Sequence, residues 1–366
     1  MVSFSEIASG CSMEMVIAMP KKDKKTGKSP TIFDIANVSG FSYSTVSRTL
    51  NDFEFVKPST REKVLQVAKE LGYVPNQQAR SLAGGRSNLI GVLVPTLSNG
   101  YISEIIRGID EELTNSNYNL ILYTTHRHRG KESAYVATIM NGGADGLLLV
   151  VPTISTPYLD ALRERSFPYV LVDQFDKTQL SLGVNATNWH GAYEATQYLI
   201  ELGHQRIGFV TGLRTLASAI ERLEGFKAAL ADHKIHIDDA YIAQGDFQES
   251  GGYSATQELL SLPNPPSAIF ASNDLSAFGA MEAIRERGLR IPEDVSVVGF
   301  DDIPQASVTY PKLTTVHQPL VQMGRGAVTM LLEYLEHPVD AVQQVTLETR
   351  LVVRDSCCPP IERVYS

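Results

Sequence analysis

The sequence predicts an α/β protein in two parts, a small all-helical module near the N-terminus and a larger body of two doubly wound halves. Three observations carry this. Between Thr31 and Tyr73 run three short helical patterns with no strand among them. From Leu89 almost to the end, apolar β-type runs alternate with amphipathic helical runs, as in chains of βαβ units. The charge is also split: residues 1–86 hold 12 Lys/Arg against eight Asp/Glu (+4), and the other 280 hold 20 against 33 (−13). A basic front on an acidic body assigns any polyanion contact to the front, whereas charge alone also fits a solvated lysine tail on a metabolic enzyme.

Composition narrows the class further. With 43% hydrophobic and 20% charged residues the chain is ordinary globular material. No apolar run approaches the roughly 18–20 residues a membrane span needs. Three cysteines, Cys11, Cys357 and Cys358, form neither a CxxC pair nor a disulfide framework, and no basic n-region opens the chain, so a cytoplasmic protein is expected. Residues 1–29, ending in a lysine-rich run, read as a disordered basic arm, and Met19 offers a second start of translation.

The front module is expected over 30–75. Thr31 and Asp34 suit a helix start, and Ile32, Ile35 and Ala36 form its inward stripe. Gly40 breaks the chain and Ser42 is placed to cap the next helix, in which Val46 and Leu50 share one face. Tyr43, Ser44, Ser47 and Arg48 are left on its other faces. A third helix from about Thr60 buries Val64, Val67, Ala68 and Leu71 and stops at Gly72. Helix, glycine turn, capped helix and supporting helix make a helix-turn-helix pattern, whose second helix fits the major groove; a generic three-helix bundle is the alternative.

In the body, β-type runs fall at 89–94, 119–124, 146–151, 169–173, 206–211, 267–272 and 295–300, with helical stretches at 102–116, 191–203, 222–230 and 275–288. Near-continuous Val/Ile/Leu strands imply parallel sheets covered on both faces. Seven such units exceed a comfortable single open sheet, so two Rossmann-like halves with a cleft between them are expected.

TIFDIANVSGFSYSTVSRTLN, followed by VKPSTREKVLQVAKELGYVPNQQARSL, resembles the DNA-binding region of LacI/GalR-family bacterial transcription regulators over some fifty residues. Ser39 and Phe41 depart mildly from that pattern. The resemblance implies that Tyr43 and Ser44 read bases at the start of the recognition helix. Arg48 is a candidate for bidentate contact with guanine. Thr31, Ser42, Thr45, Ser47, Asn51 and Thr60 are placed for phosphates. It also implies a hinge at 76–87, with Asn76 as cap, Ala79 as the hinge–hinge packing position and Leu82 as a wedge in the minor groove.

Residues 88–366 resemble the family's effector domain, a relative of periplasmic sugar-binding proteins, through stretches such as ERLEGFKAAL, FASNDLSAFGAMEAI and VSVVGFDDI. The expected halves are discontinuous, about 88–186 with 316–343 and about 187–315 with 344–366. By resemblance Arg222 and Asp301 clamp a sugar or related polyol, with Asn273 beside them, Tyr101 stacking, and Asn99 and Asp173 contributing. The alternative for Arg222 and Asp301 is a structural ion pair across the cleft. Thr187-Asn188 stands where the family often has Asp-Asn. His126 and His128 have no third partner in the sequence, so no metal is expected, and 125–131 reads as a solvated basic turn. Cys357-Cys358 reads as an inert tail rather than a redox switch.

Together these imply a ligand-responsive DNA-binding regulator, a repressor of carbohydrate use, binding a pseudo-palindromic operator as a homodimer; the tail at 350–366 lacks the leucine heptads of the family's tetramers. The rivals are a solute receptor and a sugar-modifying enzyme with a basic arm. No nucleophile elbow, Walker loop, HExxH or dinucleotide fingerprint is present, so neither a catalytic residue nor a cofactor is expected.

Overall fold

The computed structural model describes residues 30–51, 53, 55–74, 86–152, 156–174, 176, 180–338 and 343–360. Contacts divide the chain into two units, residues 1–76 and 77–366.

In the first unit, α1 (Ile32–Ser39), α2 (Tyr43–Leu50) and α3 (Pro58–Glu70) surround Ile35, Val46 and Val64, with Val67 and Ala68 completing the buried core. The Asp34 carboxylate accepts both the Thr31 N–H and its hydroxyl at 2.7 Å, which pins the start of α1. Gly40 adopts the left-handed conformation (φ 77°) that ends α1, a backbone state with little cost only for glycine. Ser42 then caps α2 by accepting the Thr45 N–H at 3.2 Å. The third helix begins at Pro58 rather than near Thr60, because proline fits the first helical turn, where its missing N–H is not needed. Ser39 is buried, and its hydroxyl finds the Ala36 carbonyl at 3.5 Å.

The second unit holds two six-stranded sheets. The first contains β1 (Leu89–Val94), β2 (Asn119–Thr124), β3 (Gly146–Val150), β4 (Tyr169–Val172), β5 (Leu182–Ala186) and β11 (Gln344–Leu347), in the order β11-β5-β4-β3-β1-β2, all parallel. The second contains β6 (Ile207–Val210), β7 (Ile242–Ala243), β8 (Ala268–Ala271), β9 (Ser296–Asp301), β10 (Thr314–His317) and β12 (Arg350–Val352), in the order β12-β10-β9-β8-β6-β7, with only β12 antiparallel. All seven β-type runs read from the sequence are strands. The other five are short or carry polar residues, and Gln344–Leu347 is largely exposed at its sheet's edge, so hydrophobic runs do not reveal them.

The helices covering the sheets are α4 (Gly100–Leu113), α5 (Arg129–Thr138), α6 (Thr156–Glu164), α7 (Asn188–Glu201), α8 (Ala217–Asp232), α9 (Glu249–Leu259), α10 (Asp274–Glu286) and α11 (Leu320–Glu336). Helices α4 and α11 approach so closely that a Cβ on Gly108 would lie 2.1 Å from the Val321 carbonyl oxygen, and one on Gly324 2.2 Å from that of Ile105. Only glycine permits this spacing.

The pairing of strands divides the body differently from the sequence reading at two points. Strand β11, expected in the second half, pairs with β5 in the first sheet (Gln344↔Gly183), so the last crossing falls between Leu347 and Arg350. The middle crossing follows His317, because β10 pairs with β9 through that residue (His317↔Asp301). The tail after β12 is bound to the second sheet: the Ser356 hydroxyl donates to the Val297 carbonyl at 2.6 Å and the Cys357 thiol to the same oxygen at 3.3 Å. Burial pushes the Cys357 thiol up to about 12, so it stays protonated and unreactive at neutral pH.

Candidate functional site

On the front module, α2 turns Val46 and Thr49 into the core and leaves Tyr43, Ser44 and Arg48 exposed. Tyr43 is 49% exposed, and its ring stacks on Phe33 of α1 at 4.9 Å between centroids, so it stands out from the surface in a fixed direction. The Arg48 side chain has no hydrogen bond or ion pair among the described residues. Thr31, Ser42 and Asn51 are exposed and Thr45, Ser47 and Thr60 half-buried, so all nine candidates in this module present at least part of their surface to solvent. Ser42 Oγ lies 2.9 Å from both Ser44 Oγ and Thr45 Oγ1, a hydroxyl cluster at the helix N-terminus where anions are favoured. Asn76, Ala79 and Leu82 lie outside the described residues, as do the arm at 1–29 and Cys11.

In the body, a cavity lies where loops leaving the carboxyl ends of strands from the two sheets converge, the position at which open α/β sheets bind ligands. All six residues expected there, Asn99, Tyr101, Asp173, Arg222, Asn273 and Asp301, line it. They play different parts. Arg222, 2% exposed, donates from Nε to Asn188 Oδ1 at 2.9 Å and from Nη1 to the Ser272 carbonyl at 2.5 Å and to Asp301 Oδ1 at 3.2 Å. Its guanidinium carbon lies 3.7 Å from the Phe300 ring centroid. Its Nη2 has no partner among the described residues.

Asp301 Oδ1 also accepts from Gln318 at 2.7 Å, while Oδ2 has no partner among the described residues. Arg222 and Asp301 both belong to the second half, on α8 and β9, so their pair does not span the cleft. Burial raises Asp301 to about 7, against the opposing pull of Arg222. Behind it Asp274 is raised well above the carboxylate range, again by burial and then by Asp301, although it accepts from the Thr315 hydroxyl at 2.5 Å. On the first half, the Tyr101 hydroxyl donates to Asp173 Oδ2 at 2.7 Å, and burial raises both groups. Tyr101 is therefore tied through its hydroxyl as well as available through its ring.

Asn99 and Asn273 are helix caps. Asn99 Oδ1 accepts the Ile102 N–H at 2.9 Å at the start of α4, and Asn273 Oδ1 accepts that of Ser276 at 3.0 Å at the start of α10. Asn273 also donates to the Phe247 carbonyl at 3.2 Å, so it orients a loop more than it clamps a ligand. Phe247 lines the cavity and was missed in the sequence. Its backbone is left-handed (φ 67°), and its ring occupies the space a Cβ on Gly212 would fill, so the pairing exists only in three dimensions.

Arg127 departs from the expectation of a solvated basic turn at 125–131. The turn at 125–131 exposes His126 and His128, but Arg127 is half-buried and lines the cavity. His126 and Arg127 both have left-handed backbone (φ 50° and 57°), a conformation costing roughly 1–2 kcal/mol for a residue with a Cβ, and this directs Arg127 inward. No cluster of three or more His, Cys, Asp or Glu among the described residues could hold a metal. Thr187 serves the crossing between halves: its hydroxyl accepts the Thr349 N–H at 2.9 Å, and its neighbour Asn188 holds Arg222.

Comparison with known proteins adds to this. Residues 31–76 match the model for bacterial regulatory proteins of the lacI family, and residues 196–357 that for a periplasmic binding protein-like domain. The chain is 35% identical over 330 residues to the HTH-type transcriptional repressor PurR of Haemophilus influenzae, spanning 89% of this chain and 98% of that one. Among solved structures it resembles a transcriptional regulator CelR–cellobiose complex (32% identity, 89% and 99% covered, TM-score 0.70). It also resembles the lac repressor dimer bound to operator and the anti-inducer ONPF (30%, 90% and 100%, TM-score 0.78).

Proposed function

The chain belongs to the lacI family of bacterial regulatory proteins, and from that premise we propose how its two units divide the work of a ligand-responsive transcriptional repressor. The front module binds operator DNA through α2, with Tyr43, Ser44 and Arg48 at base edges and the hydroxyls of Thr31, Ser42, Thr45, Ser47 and Thr60, with the Asn51 amide, on phosphates. The body takes a small polyhydroxylated effector, a sugar or a derivative, in the cavity between its halves. The chain acts as a homodimer on a two-fold operator, in the cytoplasm, and as a regulator rather than an enzyme. No helix among the described residues is long and apolar enough to cross a membrane.

The observation that carries this reading is the cavity's pairing of an unused guanidinium nitrogen, Arg222 Nη2, with an unused carboxylate oxygen, Asp301 Oδ2. One donates and the other accepts, as adjacent hydroxyls of a sugar require. The same carboxylate is bonded to Gln318 at the middle crossing, so a ligand that engages Asp301 acts directly on a segment joining the halves. Ligand and operator are then coupled, and the coupling is reciprocal.

The test is duplex binding by the full chain over a range of salt, with and without sugars. Phosphate contacts predict a steep fall in affinity with salt, and an effector predicts a shift of the whole curve. Failure to bind any duplex at low salt overturns the reading.

A further inference from the structure

Among the described cations of the body that are not exposed, Arg127 stands apart. Arg222, Arg163 and Arg354 each meet carboxylates, Arg222 at Asp301, Arg163 at Asp160 and Asp176, and Arg354 at Asp302. Arg127 lines the cavity half-buried, yet its guanidinium has no hydrogen bond or ion pair among the described residues. Burial lowers its pKa, and Glu132, Tyr101 and Asp246 offset that only in part. A guanidinium partly withdrawn from water, with no protein acceptor among the described residues, is poorly compensated, and an anion brought by a ligand supplies the missing acceptor.

The position is built rather than incidental. The His126 N–H donates to the Pro95 carbonyl at 2.9 Å, the Arg127 N–H to Thr125 Oγ1 at 3.3 Å, and the His128 N–H to the Thr125 carbonyl at 3.0 Å. These bonds hold two successive left-handed residues in place and keep Arg127 turned toward the cavity. The N-termini of α4 and α10, at Asn99 and Asn273, also border that space and add partial positive charge. Both cavity carboxyls are already held by donors, Asp173 by Tyr101 and Asp301 by Arg222 and Gln318, which lessens their repulsion of an incoming anion.

We propose that the effector carries an anionic group, a carboxylate or a phosphate ester, and that Arg127 receives it while Arg222 and Asp301 hold its hydroxyls. The proposal rests on the cavity being the effector site. It places the ligand among sugar acids and sugar phosphates rather than neutral sugars. The planar fork of arginine suits either group, because both offer two oxygens in a plane.

Calorimetric titration of the full chain with matched sets decides it: glucose, glucuronate and glucose 6-phosphate, and galactose, galacturonate and galactose 6-phosphate. One anionic member is expected to bind at least about tenfold more tightly than its neutral parent, and which one distinguishes carboxylate from phosphate. In Arg127→Gln that advantage disappears, and the anionic member binds no more tightly than its neutral parent. The proposal is overturned if the neutral parents bind as tightly, if no anionic sugar binds, or if Arg127→Gln keeps the preference. Arg222→Ala separates the two readings. Undiminished binding of the anionic sugar to that variant means that the cavity is not the site, whereas binding lost there but unaltered in Arg127→Gln removes only the anion assignment.

Discussion

Arg222 and Asp301 form a 3.2 Å ion pair that lies wholly within the second half of the body, with one guanidinium nitrogen and one carboxylate oxygen left toward the cavity. A pair spanning the cleft would lock the halves together. A pair within one half does not, and it lines the cavity with a donor and an acceptor that have no partner among the described residues.

Arg222→Ala is expected to abolish the response of operator binding to effector while operator binding itself persists. The body should also lose stability, because removing one partner of a buried pair costs about 3–5 kcal/mol. Operator retention titrated with ligand, alongside a thermal melt, reads both effects. A folded variant that responds at wild-type ligand concentrations removes Arg222 from the site.

Arg48→Ala is expected to weaken operator binding by about 1–3 kcal/mol and to relax preference at one base pair. Titration against a set of single-base operator variants checks this. A uniform loss across all of them would place Arg48 on a phosphate instead.

Gly108→Ala should destabilise the body by about 1–3 kcal/mol, the usual range for overpacking. The added methyl meets the Val321 carbonyl oxygen of a packed helix, which cannot rotate aside as a side chain can. Urea denaturation measures the change, and a variant as stable as the wild type would show that α4 and α11 separate without loss.

Burial raises Glu221 to about 7 from an ordinary value of 4.5. Between those values the folded chain keeps a proton that the unfolded chain has released, so this group makes stability fall as pH rises from about 4.5 through 7. Glu221→Gln removes that loss. Its melting temperature should therefore gain on the wild type between pH 5 and pH 8, and a constant difference over that range would contradict the shift.

Much of this protein is legible without coordinates because its signals are local. The helix-turn-helix follows from Gly40, Ser42 and the spacing of Val46 and Leu50, and the seven apolar runs follow from burial on both faces of a sheet. Arg222, Asp301 and the other four effector candidates were reached through resemblance, and the fold brings all six to one cavity.

What the tertiary structure alone decided depends on residues distant in the chain. Strand β11 joins the first sheet because Gln344–Leu347 finds β5, although nothing in its mixed, exposed side chains announces a partner. Phe247 reaches the cavity because Gly212, on another loop, leaves room for its ring. Arg127 sits in a stretch that reads as a solvated turn, and only two left-handed residues tied to Thr125 and Pro95 turn it inward. Patterning along a chain reports which side of an element is buried; which groups meet across a cleft is set by how the strands order and where the connections cross.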